Sequence, residues 1–345
     1  MPAWNDESIH LSENSLPAKL QGVRNRNLRS GFLSESNETT MKNRVRVGTR
    51  GSQLALAQTN QVVQALRGFA KSVSYEIVQI RTRGDKMHDL GSTAVEGKSL
   101  FTKEVEESLI KGEIDIAIHS MKDLTTDMPP GLVIAAVPER ADPRDVLVSR
   151  TKKKFEQLPG GARVGTSSSR RRVQLLAARG DLEIVDMHGN VDTRLRKLSN
   201  GEYDAIVLAA AGLIRLGLEK HATEFLSTDV MLPAVGQGAL AIQTRADDNE
   251  IIDLVSNIDH KTTRRAIEAE RAFARKLGVN CRNPIAAYAR IQSAKLAIEG
   301  MIAAPTGKLL LRSRLASDNP DAEQVGRELA EYLLNKGGGA ILEAA

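Results

Sequence analysis

From Asn43 onward the chain alternates short apolar runs with longer stretches whose apolar residues recur every three or four positions, the pattern of strands exchanging with helices. Val45-Arg46-Val47 predicts a strand, residues 48–52 (Gly-Thr-Arg-Gly-Ser) a loop and residues 53–66 a helix. The same syntax returns at Ala162-Arg163-Val164, with a loop at residues 165–169 and a helix at 170–178. A second echo follows each copy. Gly112-Glu113-Ile114-Asp115-Ile116 corresponds to Gly201-Glu202-Tyr203-Asp204-Ala205, both predicting a helix end and then a buried strand, the first running over residues 114–118. Two echoes in the same order predict two related α/β lobes with largely parallel sheets. Ligands of such sheets sit at the carboxyl ends of the strands, so both loops are expected at a shared cleft. Residues 138–145 and 233–238, rich in Pro and Gly, are the expected crossings between lobes, and two crossings permit hinge closure.

The last part reads differently. Residues 263–277 predict a helix with Ile267, Phe273, Ala274 and Leu277 on one face. Strand-like runs follow at 285–291, 295–303 and 308–316, then a helix at 321–334 and a flexible glycine run at 337–339. The fold class expected is α/β, two lobes plus a small α+β C-terminal domain that carries Cys281 on a loop at its edge. The expected boundaries are a disordered extension at 1–41, lobe 1 at 42–140 and 237–258, lobe 2 at 141–236 and the α+β domain at 259–345. The extension is polar, rich in Ser and Asn, and ends at Met41, a possible second start. It lacks the apolar centre of a secretory signal, and its acids argue against a transit peptide.

Composition narrows the partners. Hydrophobic residues at 41% suffice for a real core, while aromatics at 3% disfavour a stacking platform for single-stranded nucleic acid. The net charge of +5 is interspersed with acids, which favours a small anionic ligand over a nucleic-acid backbone. No run is long and apolar enough to span a membrane. From a single cysteine and no signal, a cytoplasmic location is expected.

Candidate chemistry concentrates at the predicted turns. Arg50, Arg170, Arg171 and Arg172 are placed at helix starts, and Arg194 and Arg215 at similar junctions. Any one arginine is usually a solvated surface group. Cations in a row at a helix N-terminus oppose the helix dipole, however, and call for an anionic partner. Arginine's fork suits carboxylate or phosphate. His119-Ser120-Met121-Lys122-Asp123 follows an apolar strand, where an acid can act in proton transfer or stabilise a developing cation, or merely cap a helix. Glu96-Gly97-Lys98-Ser99-Leu100-Phe101 has the character of an anion-binding lid. The six histidines show no zinc-like spacing. Cys281 is either a small buried hydrophobe or a thiol activated beside Arg282.

These stretches, VGTRGSQLALAQ, GKSLFTKEVEESL, DIAIHSMKDL, RADPRDVLVS, VGTSSSRRRVQLL, HGNVDTRLRKL, LPAVGQGALAIQ and AERAFARKLGVNCRNPIAAYA, resemble the porphobilinogen deaminase (hydroxymethylbilane synthase) family and run in family order from Arg46 past Cys281. The resemblance implies two periplasmic-binding-protein-like lobes and a third α+β domain. It implies a monomeric transferase that condenses four porphobilinogen molecules head to tail with loss of ammonia to give hydroxymethylbilane, with no metal. It implies a covalent dipyrromethane cofactor on Cys281. Asp123 and Lys122 would be catalytic, Asp123 stabilising the cation formed as ammonia departs. Arg170, Arg171, Ser168 and Asp123 would hold the cofactor, and Arg50, Ser52, Lys98, His188, Arg194 and Arg215 the substrate. His188 departs from the family's usual arginine, as do Ser169, Ser99 and Val279 from its usual residues. A histidine is only partly charged near neutrality and lacks an arginine's fork. The competing class is therefore a catalytically weakened or non-catalytic anion-binding homologue.

Overall fold

The computed structural model describes residues 8–9, 43–83, 85, 101–278 and 284–343. In chain order its strands are β1 (Ser8–Ile9), β2 (Arg44–Arg50), β3 (Ser74–Ile80), β4 (Ile116–Ser120), β5 (Leu132–Ala136), β6 (Asp145–Ser149), β7 (Arg163–Gly165), β8 (Glu183–Val185), β9 (Ala205–Ala209), β10 (Glu224–Phe225), β11 (Leu240–Arg245), β12 (Ile285–Gln292), β13 (Lys295–Ala303) and β14 (Leu310–Ser317). The α-helices are α1 (Gln53–Phe69), α2 (Lys103–Ile110), α3 (Ser169–Ala178), α4 (Val191–Ser199), α5 (Ala210–Arg215), α6 (Asn249–Ser256), α7 (Lys261–Lys276), α8 (Ala322–Leu333) and α9 (Gly339–Glu343).

Two five-stranded sheets share one plan. Lobe 1 runs β3-β2-β4-β11-β5 and lobe 2 runs β8-β7-β9-β6-β10. In each, the first three strands are parallel and the fourth is antiparallel. The fourth is the strand that enters from the other lobe: β6 follows the crossing at 138–145, and β11 the return at 233–238. This is the arrangement of periplasmic-binding-protein-like lobes.

The two sequence echoes interlock in space. A Cβ on Gly48 would meet the Ile114 side chain at 2.3 Å, and one on Gly165 would meet Tyr203 at 2.8 Å. Ile114 and Tyr203 are the third residues of the second echo, so that echo roofs the glycine of the first in both lobes. Asp115 Oδ2 accepts from the Arg46 amide at 2.9 Å, and Asp204 Oδ2 from the Arg163 amide at 2.9 Å. Alternating apolar residues then close each core, Val45, Val47, Ile116 and Ile242 in lobe 1 and Val164, Ala205, Val207 and Leu147 in lobe 2.

In the third sheet β12, β13 and β14 are antiparallel neighbours and β1 joins β14 in parallel, with α7 and α8 packed on the sheet. The helices approach closely, because a Cβ at Gly326 would lie 2.1 Å from the Ala269 carbonyl. Phe273, Ile298, Val325 and Leu329 fill the core between helices and sheet.

Several expectations are corrected. The expected 48–52 loop shortens, because β2 continues through Arg50 in parallel register with Val78, Gln79 and Ile80. The apolar strand expected over 114–118 is β4, shifted to Ile116–Ser120, which puts His119 inside it, paired with Ala241. Within the expected disordered extension, Ser8–Ile9 pairs in parallel with β14. The glycines at 337–339 form a kink between two helical segments, with Gly337 at φ 105° and Gly338 buried.

Candidate active site

The carboxyl ends of β2, β4 and β9 and the starts of α1 and α4 border a cavity of about 830 Å³. Arg50, Ser52, Lys122, Asp123, Arg171, His188 and Arg194 all line it. Local sequence explains their placement. Ser52 caps α1, its Oγ accepting from the Ala55 amide at 3.2 Å. Met121–Asp123 form a single 3-10 turn at the end of β4, which puts Lys122 and Asp123 on the cavity wall. Asn190 caps α4 through Oδ1 and the Thr193 amide at 2.9 Å. Arg194, one turn in, donates through Nε to the Gly189 carbonyl at 2.7 Å.

The cations divide into occupied and available. Arg50 donates through Nη2 to Asp85 Oδ1 at 2.5 Å and lies 4.2 Å from the centroid of the Phe101 ring. Asp85 is itself anchored by the Thr82 hydroxyl at 2.7 Å, and the bonds from Arg50 and Thr82 outweigh burial to hold its carboxyl below the ordinary range. Lys122 and Arg194 have no carboxylate within ion-pair distance among the described residues. Burial draws Lys122 down to about 8, with Asp123 opposing and Arg171 assisting. Burial, with Arg171 beside it, draws Arg194 down to about 10. A cleft whose cations have lowered pKa values and no bound carboxylate among the described residues is electrostatically short of anions.

Three expected residues fall away from the cleft wall. Arg170 is 5% exposed and donates to Asp145 Oδ2 at 2.8 Å and to the Leu232 carbonyl at 2.7 Å. Ser168 caps α3 through the Arg171 amide at 3.4 Å. Arg215 bridges the lobes, donating to Gln61 Oε1 at 3.3 Å and to the Gly238 carbonyl at 2.9 Å. Arg171 reaches the cavity but is only 6% exposed, and its fork is held on Asp145 Oδ1 at 2.7 and 2.9 Å. Arg172 turns outward to Asp186 at 2.7 Å. The anion demanded by the arginine run is thus Asp145, whose carboxyl the two guanidinium groups bring to about 2 despite burial. Sequence reasoning passed over Asp145. Its signal was an acid opening the wholly apolar strand Asp145-Val146-Leu147-Val148. Lys98 and Cys281 lie outside the described residues.

Comparison with known proteins decides the family. The model "Porphobilinogen deaminase, dipyromethane cofactor binding domain" matches residues 45–253, and "Porphobilinogen deaminase, C-terminal domain" matches 264–335. This chain belongs to the porphobilinogen deaminase family. Porphobilinogen deaminases from Pelotomaculum thermopropionicum and Brevibacillus brevis are each 48% identical to it, over 88% and 86% of this chain and 98% and 96% of their own lengths. Among solved structures, an arginine-specific periplasmic binding protein of Salmonella typhimurium shows 15% identity and a TM-score of 0.36, covering 65% of this chain and 94% of its own, too weak a likeness to bear on the ligand.

The porphobilinogen deaminase cofactor, a dipyrromethane, bears four carboxylates and two pyrrole N–H groups. The cleft fits it on both counts: Lys122 and Arg194 carry charge with no carboxylate at ion-pair distance among the described residues, and the Asp123 carboxylate can accept from pyrrole nitrogens. No group of acids, His and Cys able to hold a metal occurs among the described residues, and no helix among them is long and apolar enough to cross a membrane.

Proposed function

We propose that this chain is a hydroxymethylbilane synthase, a transferase that forms carbon–carbon bonds between four porphobilinogen molecules and releases ammonia. The observation that carries this reading is Asp123, set beside Lys122 at the end of β4 on the wall of a cleft that also holds Arg50, Arg171 and Arg194, with Asp85 bound to Arg50 and Asp192 as its other acids. The substrate has two carboxylates and an aminomethyl group, so it needs cations for its acids and one anion where ammonia leaves.

Lys122 and Arg194 take substrate or cofactor carboxylates, and Ser52 and the adjoining first turn of α1 offer further donors. Arg50, held by Asp85 on its Nε–Nη2 side, retains its remaining N–H donors for a substrate acid. Asp123 accepts from pyrrole N–H groups and stabilises the cation left when ammonia departs. Lys122 beside it, drawn to about 8, is near the balance at which an amine can give up and take a proton at neutral pH. Arg171 contributes its field from the Asp145 pair, and Arg170, Ser168 and Arg215 act behind the wall by fixing α3 and the lobe seam. By resemblance, Lys98 would meet a substrate carboxylate. A dipyrromethane tethered through Cys281 would supply the carbon nucleophile for the first addition and stay as the anchor of the growing chain.

We assign the discontinuous lobe 1 to residues 42–140 and 237–258, lobe 2 to 141–236 and the cofactor-bearing domain to 259–345. We read the enzyme as a cytoplasmic monomer that does not bind nucleic acid.

Intact mass of the purified chain, before and after porphobilinogen, tests the reading. The parent should carry a dipyrromethane adduct and gain successive pyrrole units. Cys281→Ser should be bare. An identical adduct on that variant would overturn the tether, and a bare parent producing no hydroxymethylbilane would favour the non-catalytic anion-binding homologue.

A further inference from the structure

Ser167 and His188 meet on the lobe 2 side of the cleft. Ser167 Oγ lies 2.8 Å from the Met187 carbonyl oxygen, 2.9 Å from the Met187 amide nitrogen and 3.2 Å from His188 Nε2. A serine hydroxyl has one proton and two lone pairs. The hydroxyl donates along its shortest contact, to Met187 O at 2.8 Å. The amide donates into one lone pair. The third contact therefore closes only if His188 Nε2 carries hydrogen and donates into the other. A neutral His188 held this way is the Nε2–H tautomer, and its Nδ1 is a bare lone pair.

We propose that His188 is a proton-gated carboxylate receptor: the neutral ring repels a substrate acid through the Nδ1 lone pair, and the protonated ring binds it through Nδ1–H. This rests on reading the cleft as the porphobilinogen site. The ring is exposed and lines the same cavity as Arg194 and Asp192 of α4, Arg171 of α3, and Lys122 and Asp123 of the 3-10 turn. The Arg172–Asp186 pair is the next ion pair along the chain, Asp186 standing two residues before His188. Arg194 keeps its charge throughout the neutral range, and Arg171 is engaged by Asp145. Histidine is the residue type whose charge ordinarily changes between about pH 5 and 8. The gate thus gives one carboxylate subsite a pH dependence that the arginines lack. Its sign is fixed: proton uptake accompanies binding, so affinity falls as pH rises, and bound substrate must raise the proton affinity of His188 by the same factor.

The test measures KM and kcat for porphobilinogen from pH 5.5 to 7.5 with the cofactor-loaded enzyme, a window in which the substrate's acids and amine keep their charges. The parent KM should rise about fivefold to tenfold across it with kcat changing less. His188→Gln should flatten that rise at the high value, and His188→Arg should flatten it at the low one and increase product formation at neutral pH. Nitrogen-15 NMR should find the Nε2–H form at high pH, and a His188 titration moved to higher pH by saturating porphobilinogen. A parent KM as flat as that of His188→Gln, an Nδ1–H tautomer, or a titration unmoved by porphobilinogen would each overturn the gate. No hydroxymethylbilane despite a ligand-shifted titration would instead overturn the transferase reading and leave the gate standing.

Discussion

The two lobes solve one packing problem in different chemistry. Aligned on their helix caps, Ser52 of α1 and Ser168 of α3, Leu54 and Ala55 of lobe 1 correspond to Arg170 and Arg171 of lobe 2. The entering strands show the same exchange. Leu240 opens β11 opposite Ser120, the last residue of β4, while Asp145 opens β6 opposite Ala209, the last residue of β9. Lobe 1 carries apolar side chains at these three positions, whereas lobe 2 carries a carboxylate clasped by two arginines. Buried ionic groups of this kind are seldom more stabilising than apolar replacements of similar volume, but removing one member alone is costly. The difference teaches that a run of arginines at a helix start can be structural. Its cationic field then reaches the cleft only through Arg171.

The sharpest way to break the comparison is Asp145→Ala. It leaves two guanidinium groups buried without a counter-ion and should cost about 3–5 kcal/mol in urea unfolding. Converting the junction to the lobe 1 solution, with Asp145→Leu, Arg170→Leu and Arg171→Ala together, should recover most of that loss. A triple variant no more stable than Asp145→Ala would show the two junctions are not interchangeable. The same carboxyl predicts acid sensitivity. Its folded value of about 2 lies below the ordinary carboxylate range, so its contribution is complete above pH ~4 and disappears as pH falls toward 2. The loss should be about 2–3 kcal/mol and absent from the triple variant.

Next in size is the contrast between structural and available arginines. Arg194→Gln should raise KM for porphobilinogen about tenfold or more, the worth of a charge-assisted hydrogen bond, with stability nearly unchanged. Arg171→Gln should lower the urea midpoint first. If both variants lost stability alike, the division between occupied and available cations would fail. The smallest effect compares the caps: Ser168→Ala should cost about 1 kcal/mol of stability, while Ser52→Ala should cost about as much and also raise KM.

The sequence made the lobes legible because both echoes carry steric and hydrogen-bonding obligations, a glycine under a large side chain and an aspartate under an arginine amide. It also brought Lys122, Asp123, His188 and Arg194 to notice, since each follows a strand or a turn signal that fixes its direction. It misplaced Arg170 and Arg215, because local pattern tells where a cation sits on its helix and not which anion reaches it from a distant strand. Asp145 is separated from Arg170 by 25 residues and Asp85 from Arg50 by 35, beyond the reach of any periodicity. Strand ends failed for the same reason: Gly48 to Arg50 carry a loop-like composition, yet pairing with β3 extends them.

The exchange of β6 and β11 between lobes also constrains how the chain can be made. During synthesis the β2, β3 and β4 ladder emerges early, but the strand that joins it to β5 arrives more than a hundred residues later, His119 meeting Gln243 across 124 positions. Until then lobe 1 exposes two unsatisfied edges beside an apolar core, while lobe 2 can close once the chain through Leu232 has left the ribosome. The second lobe should therefore be the first to acquire hydrogen-exchange protection in a stalled nascent chain, and a fragment ending at residue 140 should aggregate rather than fold.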